Sequence, residues 1–472
     1  MSTSKPGEYK QPEDVSYKLY KSSNLTDESS DKKEYILYPY RWIICIFFSI
    51  QQIGLGMMMV GFSPITAFMA KVYDVNSIWT TMIVLCYSII FVPVNVPANA
   101  LIKAKGIAYP IRIASVVFIA GAWIRMLVKV DFFFILIGQC INALGMPFVQ
   151  ALGATIASTW FGEKERALIT TITSLASVLG LIIGFALPAI FVDDEETNFE
   201  KAKDQIYQFI WVQSIAVTVC SIPCFFTVRK EPNTPPSRSA EQMRDPNKNA
   251  QEENKFWKDM GKMLSSLNFW LLNIVFSFIY SIYNTLGAAV SVITEKFGYS
   301  STDNSIFGVV FIVSGISGSI LHGILLDKYG KYKLQYILIC ALSIGSIGLI
   351  TGIIDIGEVW LTSIGLFFVG LGLIPIIGVA NSFCAEIIHP INEAVGCGFI
   401  LSCGSLLTIP YTLLVNYMVE NHSKWWSFVL FGAGAVIAFI ASVLVKEDLK
   451  KSKLDLNKDE EQTSKLLEDN DS

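Results

Sequence analysis

The chain has 472 residues, of which 52% are hydrophobic and 16% are charged, and its mean hydropathy is +0.49. Soluble globular proteins carry about 25% charged residues, so this composition excludes that class and predicts a protein of the lipid bilayer. The formal net charge is −4, and the basic residues form short clusters between apolar blocks instead of a continuous stripe, which excludes nucleic acid as a partner.

Twelve apolar stretches are long enough to cross a hydrocarbon core about 30 Å thick, which takes roughly 20 residues of α-helix. We predict that they are transmembrane helices, called spans 1 to 12 in chain order. Their predicted ranges are 42–68, 78–102, 107–128, 132–158, 167–192, 205–228, 269–293, 304–326, 334–354, 359–385, 394–418 and 425–445. The predicted fold class is an all-α, multi-pass membrane protein with two six-helix bundles.

Polar segments divide the chain into five predicted parts. These are an N-terminal tail at 1–41, a first six-helix bundle at 42–228, a Pro-containing linker at 229–268, a second bundle at 269–445 and a C-terminal tail at 446–472. The tails and the loops on their side of the membrane hold 29 of the 36 basic residues. The positive-inside rule therefore predicts that both termini are cytosolic.

An internal repeat connects the two bundles. The string NALIKAKG at 99–106 and the string GILLDKYGKYK at 323–333 each lie between the second and third spans of their bundle. When the strings are aligned, Lys103 of the first copy corresponds to Asp327 of the second, 224 positions later. We call this spacing of 224 residues the repeat offset. Repeated six-helix units of this kind predict pseudo-symmetric bundles.

The loop string after span 8 follows the pattern G-x-x-x-D-[RK]-x-G-[RK]-x-[RK], and in a twelve-span chain with a long middle loop it resembles the major facilitator superfamily. Gly323 allows helices to approach closely, and Asp327 suits the positive N-terminus of a neighbouring helix. Lys328 and Lys331 suit anionic headgroups, so membrane lipid is an expected partner. A simple topology-setting cluster of positive charge is the alternative.

Pseudo-symmetry predicts a charge contact in each half of a cytosolic gate. Asp327 is expected near Arg166 at the start of span 5, and Lys103 is expected near Glu386 or Glu393 around the start of span 11. The predicted gating residues are Lys103, Arg166, Gly323, Asp327, Lys328, Lys331, Glu386 and Glu393.

Further strings across about residues 40–450 resemble the feline leukaemia virus subgroup C receptor family. They include Gly138-Gln-Cys140, Trp160-Phe-Gly162, Glu165-Arg-Ala167, Gly184-Phe-x-x-Pro188 and Ala385-Glu-Ile. The resemblance implies transport of a small organic solute such as choline, ethanolamine, haem or pyridoxine. It also implies a cation cage of Trp, Gln and Tyr at the positions of Met59, Met146 and Tyr283, of which only Tyr283 keeps its residue type. Packing is the alternative role of Met59.

Polar residues inside spans are costly in lipid and usually face a cavity, although hydrogen bonding between helices is an equal alternative. The predicted substrate-binding set is Gln51, Gln52, Met59, Met146, Gln150, Tyr283, Asn284 and Asn381. Since no Asp, Glu, Lys or His lies near the middle of a span, downhill or weakly coupled transport of a neutral or singly charged solute is expected.

Other functions have little support in the sequence. No nucleotide-binding loop, catalytic set or metal-ligand pattern is present among the nine cysteines and three histidines, so the chain is not expected to be an enzyme or to bind a cofactor or metal. A transport-inactive receptor or scaffold is the alternative function. A monomer in the plasma membrane is expected; the dileucine-like Ser464-Lys-Leu-Leu467 leaves an endosomal or vacuolar membrane open.

Overall fold

The structure is a computed structural model that describes residues 36–150, 152–194, 196, 198–237, 260–389, 391 and 393–447. Most of the predicted N-terminal tail, the middle of the linker and nearly all of the C-terminal tail lie outside these ranges. The dileucine-like string at 464–467 lies outside them as well.

Twelve helical spans in the described ranges are long and apolar enough to cross a membrane, which confirms the predicted number. They are Tyr40–Val72, Ser77–Lys105, Ala108–Lys129, Phe133–Trp160, Glu163–Phe191, Phe199–Thr227, Leu267–Glu295, Ser301–Tyr329, Tyr332–Ile356, Val359–Ile388, Val395–Asn421 and Trp426–Leu444. We call the face where span 1 begins and span 12 ends the terminal face, and the other the opposite face.

Several spans begin earlier than predicted because polar caps extend them. Span 6 begins at Phe199 because Asn198 accepts a hydrogen bond from the Glu200 amide. Span 8 begins at Ser301 behind a capping box formed by Ser300 and Asp303. Such caps satisfy amide groups that have no partner in the first turn, and a hydropathy window does not detect them.

Three spans that carry predicted substrate-binding residues consist of more than one helix. Span 1 consists of the helix Tyr40–Val60, a short 3₁₀ turn and the helix Thr66–Val72. Span 4 is interrupted between Val149 and Leu152, and span 10 between Leu373 and Ile376. Each break frees backbone groups that need new partners within the bundle.

The repeat is visible in the backbone. Span 2 ends at Gly106 with φ +73°, and span 8 ends at Gly330 with φ +61°. These two glycines are separated by the repeat offset of the loop strings. A positive φ favours glycine because it has no Cβ, so a glycine with positive φ follows the second helix of each half.

Candidate substrate cavity and gates

A cavity lies between the two halves, with about 460 Å³ of empty space including its mouth. Spans 1, 2, 5, 7, 8 and 11 line it. The lining residues are Met59, Val60, Val84, Leu85, Ser88, Phe185, Tyr283, Asn284, Gly287, Ala288, Phe311, Ile312 and Thr408. None of these side chains carries a formal charge at neutral pH, and mostly apolar walls with a few polar groups are typical of small-molecule sites.

The lining follows the internal repeat. The repeat offset separates Met59 from Tyr283, and it also separates Val60 from Asn284. Equivalent positions of the two halves therefore face each other across one space, which lies on the pseudo-two-fold axis.

Aromatic rings form one wall. Tyr283 stacks on Phe311 with ring centroids 5.9 Å apart, and it also contacts Tyr280 at 6.1 Å. Phe185 crosses from span 5 to the second half and packs against Gly308, where an added Cβ would lie 2.0 Å from the Phe185 ring. The Tyr283 hydroxyl has no hydrogen-bond partner among the described residues and is available to a solute.

Three of the eight predicted substrate-binding residues line this cavity: Met59, Tyr283 and Asn284. Gln51 and Gln52 instead lie inside the first half. The Nε2 of Gln51 donates to Ser115 Oγ at 2.7 Å, and the Nε2 of Gln52 donates to the Val149 carbonyl at 3.4 Å. These two glutamines therefore follow the alternative of hydrogen bonding between helices.

The other three predicted residues also lie outside the cavity lining. Met146 is buried in the core of the first half, and Gln150 is exposed at the break in span 4. The buried Oδ1 of Asn381 in span 10 has no partner among the described residues, and the Asn381 carbonyl accepts a contact from Cys397 Sγ at 3.7 Å.

Sequence reasoning missed Ser88, Phe185, Phe311 and Thr408. Serine and threonine are common in membrane helices, and phenylalanine in an apolar span carries no polar signal. Phe185 lies within the string at 184–188 that resembles the feline leukaemia virus subgroup C receptor family.

Contacts between repeat-equivalent residues close the cavity towards the opposite face. Ser63 Oγ donates to the Gly287 carbonyl, and the Ala67 amide donates to Ser291 Oγ at 3.2 Å. One further turn along, Lys71 forms an ion pair with Glu295. In all three pairs the partners are separated by the repeat offset, and we call these contacts the span 1–7 latch.

The other helices that meet on the opposite face carry related contacts. Ser77 donates to Glu420 Oε1, and the amide of its equivalent, Ser301, donates to Asp194 Oδ2. The Nδ2 of Asn416 donates to Thr81 Oγ1 at 2.7 Å. The described structure is thus a conformation closed at the opposite face.

On the terminal face, Lys103, Asp327, Lys328 and Lys331 are exposed. Arg166 donates from Nη2 to Ser237 Oγ of the linker at 2.6 Å. Within the described part of the chain, no ion pair involves Lys103 or Asp327, so their predicted gate contacts remain predictions for a conformation closed at this face.

Two acidic gate candidates occupy different environments. Glu386 is buried in span 10, and Glu393 is exposed in the first turn of the span 11 helix. Gly323 does not make the predicted close approach here, because an added Cβ would meet no atom within 4 Å. Gly318 makes that approach instead, since its Cβ would lie 2.7 Å from the Leu371 carbonyl oxygen.

A polar cluster behind the cavity holds the broken part of span 1. Buried Arg125 donates from Nη1 to Gln213 Oε1 at 2.7 Å and from Nη2 to Met58 Sδ at 2.9 Å. Gln213 donates to the Met57 carbonyl at 2.9 Å, and Gln139 donates to the Met58 carbonyl at 3.1 Å. We call Arg125, Gln139 and Gln213 the span 1 clamp. No group of three or more potential metal-binding side chains occurs among the described residues.

The family model described as Major Facilitator Superfamily matches residues 43–410. The chain belongs to this superfamily. Twelve spans and the superfamily match make it a multi-pass membrane transporter and not an enzyme.

Similar proteins support the superfamily assignment. The choline/ethanolamine transporter flvcr2a of Danio rerio is 22% identical over 420 residues, covering 88% of each chain. The choline/ethanolamine transporter FLVCR1 of Felis catus is 24% identical over 439 residues, covering 91% of this chain and 77% of the relative. The crystal structure of a D-xylose–proton symporter matches with a TM-score of 0.67 and 14% identity, over 87% of this chain and 99% of the symporter. This structural likeness shows the major facilitator fold.

Proposed function

We propose that the chain carries a small organic solute across its membrane by alternating access, with its two halves rocking about the cavity between Met59 and Tyr283. The observation that supports this most strongly is the placement of the cavity on the repeat axis, directly beside the span 1–7 latch. Opening the latch while the terminal face closes would expose the same residues to the other side.

We propose a solute in the size class of choline and ethanolamine. The names of the curated relatives support this class, and so does the lining. Ser88 and the Oδ1 of Asn284 offer hydrogen bonds to a hydroxyl group, while Met59 and the rings offer an apolar wall. The Nδ2 of Asn284 already donates to the Tyr280 carbonyl, and the Thr408 hydroxyl donates to the Gly404 carbonyl. A haem-like solute has less support, because the lining holds no cationic side chain to pair with its two propionates.

Binding and counterflow measurements test the proposal together. Purified protein is screened by thermal unfolding against choline, ethanolamine, pyridoxine, haem and amino acids, since a ligand of the folded state raises the melting temperature. Tracer counterflow in proteoliposomes then follows for each stabilising compound. We expect a stabilising small hydroxylated compound whose counterflow is lost in Tyr283→Ala and kept in Tyr109→Ala, a change at an exposed tyrosine of span 3. A stabilising compound with no counterflow would instead support the receptor or scaffold alternative.

The proposed orientation places the terminal face in the cytosol, and the proposed location is the plasma membrane. The charge pattern of the loops supports this orientation. In intact cells, a membrane-impermeant maleimide is expected to label Glu358→Cys on the opposite face and to leave Lys331→Cys unlabelled, in a background without the native cysteines. The reverse pattern would invert the proposed orientation.

We also propose downhill or weakly coupled transport. The absence of a titratable carboxylate, lysine or histidine from the described cavity lining supports it, because proton coupling normally needs a buried titratable group. Uptake is expected to continue after a protonophore dissipates the proton gradient. Uphill uptake that collapses with the gradient would contradict this part of the proposal.

A further inference from the structure

We infer that the cavity selects an uncharged solute and that Arg125 is the residue that disfavours a cation there. The inference rests on the proposed function, and it narrows the solute from the size class of choline and ethanolamine to the neutral members of that class. It departs from what the names of the relatives suggest, and three features of the first half support it.

The first feature is an uncompensated buried charge. Arg125 has no exposed surface, and a guanidinium stays protonated in proteins. Its contacts are the Gln213 amide oxygen, the Met58 sulfur and the face of Phe62, whose ring centroid lies 5.5 Å from the guanidinium carbon. Among the described residues, no carboxylate lies within ion-pairing distance. The positive charge therefore acts on its surroundings without a neutralising partner.

The second feature is the position of this charge. Arg125 contacts Met58, whose neighbour Met59 lines the cavity. The guanidinium thus contacts the residue directly next to a cavity-lining residue of span 1, in a buried region where little water screens its charge.

The third feature is the loss of the usual cation ligands of a broken helix. In membrane carriers, backbone carbonyls at such a break commonly coordinate a cation. Here the Met57 carbonyl accepts from Gln213, and the Met58 carbonyl accepts from Gln139. Gly61 leaves room for this clamp, because its Cβ would lie 2.3 Å from the Gln213 amide nitrogen. Both carbonyls therefore accept hydrogen bonds from glutamine side chains of the protein, which leaves them less available to a cationic solute.

The remaining lining does not restore cation binding. It contains no anionic side chain, and Tyr283 has one ring face stacked on Phe311. What the cavity offers is dispersion contact with Met59 and the rings, and hydrogen bonds from Asn284 and the hydroxyl groups. This combination suits a compact apolar body that carries one or two hydroxyl groups.

A matched pair of ligands tests the inference. Choline and 3,3-dimethylbutan-1-ol have the same shape, but carbon replaces the charged nitrogen in the second compound. Isothermal titration of the purified full-length protein is expected to show roughly tenfold tighter binding of the neutral alcohol, because a like charge in a weakly screened region repels only choline. In Arg125→Gln, choline binding is expected to strengthen until the two affinities are similar. A loss of packing alone would weaken both ligands together.

Two further variants keep the test interpretable. Arg125→Lys retains the charge and is expected to retain the preference for the neutral alcohol. Arg112→Gln removes an arginine from the terminal end of the same span, where it bonds the Phe225 and Val228 carbonyls, and is expected to leave both affinities unchanged. Equal or tighter binding of choline by the wild-type protein would overturn the inference alone. Binding of neither compound would overturn the proposed size class and the inference with it.

Discussion

Met59 and Tyr283 occupy equivalent positions in the two repeats, yet one is a flexible thioether and the other a rigid phenol. A bound solute therefore meets a polarisable, adaptable surface on one side and an aromatic ring with a hydroxyl group on the other. The asymmetry lets a pseudo-symmetric cavity bind a solute in one orientation.

A change at Met59 tests how much the missing aromatic ring matters. Met59→Trp is expected to tighten choline binding roughly 2- to 30-fold, because a ring face adds about 0.5–2 kcal/mol of cation–π attraction. Met59→Leu is the control, since it keeps the apolar volume without a ring, and should leave choline affinity within about threefold. Isothermal titration measures both. A tryptophan variant no better than the leucine variant would place Met59 away from the bound solute.

The sequence predicted that polar residues inside the spans face a cavity or bond between helices, and in this conformation Gln51 and Gln52 bond between helices. The physical reason is visible at Gln52. Gln52 donates to the Val149 carbonyl, which lies at the C-terminal end of the first helix of span 4. Hydropathy does not show where a helix within a span ends. The sequence therefore does not show which side chain bonds to the backbone carbonyl there.

At the scale of elements, the span 1–7 latch joins equivalent turns of two equivalent helices. Its residues recur every four positions on both helices, so they form one stripe along each contact face. Ser63 donates from its side-chain hydroxyl and Ala67 from its backbone amide, both beside the break in span 1. The Lys71–Glu295 ion pair is at the exposed end of the stripe.

A charge swap tests the latch. Lys71→Glu places two like charges together and is expected to favour the conformation open at the opposite face, slowing transport severalfold. Glu295→Lys is expected to act in the same way. The double variant restores an ion pair with reversed polarity, so its tracer uptake rate should return to within about twofold of the wild-type rate. A double variant as slow as the single variants would show that the pair does not stabilise closure.

Glycine contacts set the packing of spans 1 and 5. An added Cβ at Gly180 would lie 2.3 Å from the Ile53 carbonyl oxygen, so the two backbones are in direct contact. The equivalent residue in the second half, Gly404, is covered by the rings of Phe276 and Tyr280 instead. The first half thus packs backbone against backbone where the second half packs rings against a glycine.

The contact at Gly180 predicts a stability effect. Gly180→Ala is expected to destabilise the folded protein by about 1–3 kcal/mol, because the backbones must separate to admit the methyl group. The control is Gly348→Ala in span 9, where an added Cβ meets no atom within 4 Å, and alanine should be neutral or slightly stabilising. Thermal unfolding in detergent compares the two variants. Equal melting temperatures would contradict the close packing of spans 1 and 5.

At the scale of the whole molecule, one repeat offset relates loops, cavity and latch. The sequence revealed this offset through the two loop strings, and it predicted the twelve spans because length and hydropathy are sufficient for that purpose. The same offset also relates Gly106 to Gly330, Met59 to Tyr283 and Lys71 to Glu295. Which of these equivalent residues contact each other depends on the face at which the two halves are closed. The sequence alone does not give that conformation.

The predicted gate at the terminal face illustrates the same limit. Asp327 and Lys103 are equivalent positions with opposite charges, and both are exposed in the conformation closed at the opposite face. Arg166 meanwhile bonds to Ser237 of the linker. A gate contact exists only when its face is closed, so a single conformation reveals one gate and leaves the other to be measured.

The most direct test of the alternating-access account is a pair of distance distributions from electron–electron double resonance in proteoliposomes. Spin labels at Lys201→Cys and Glu358→Cys report across the opposite face, and labels at Lys105→Cys and Lys331→Cys report across the terminal face, without the native cysteines. We expect opposite shifts when Lys71→Glu is introduced: longer distances across the opposite face and shorter distances across the terminal face. Unchanged distributions on both faces, or lengthening on both together, would contradict a carrier that rocks about its central cavity.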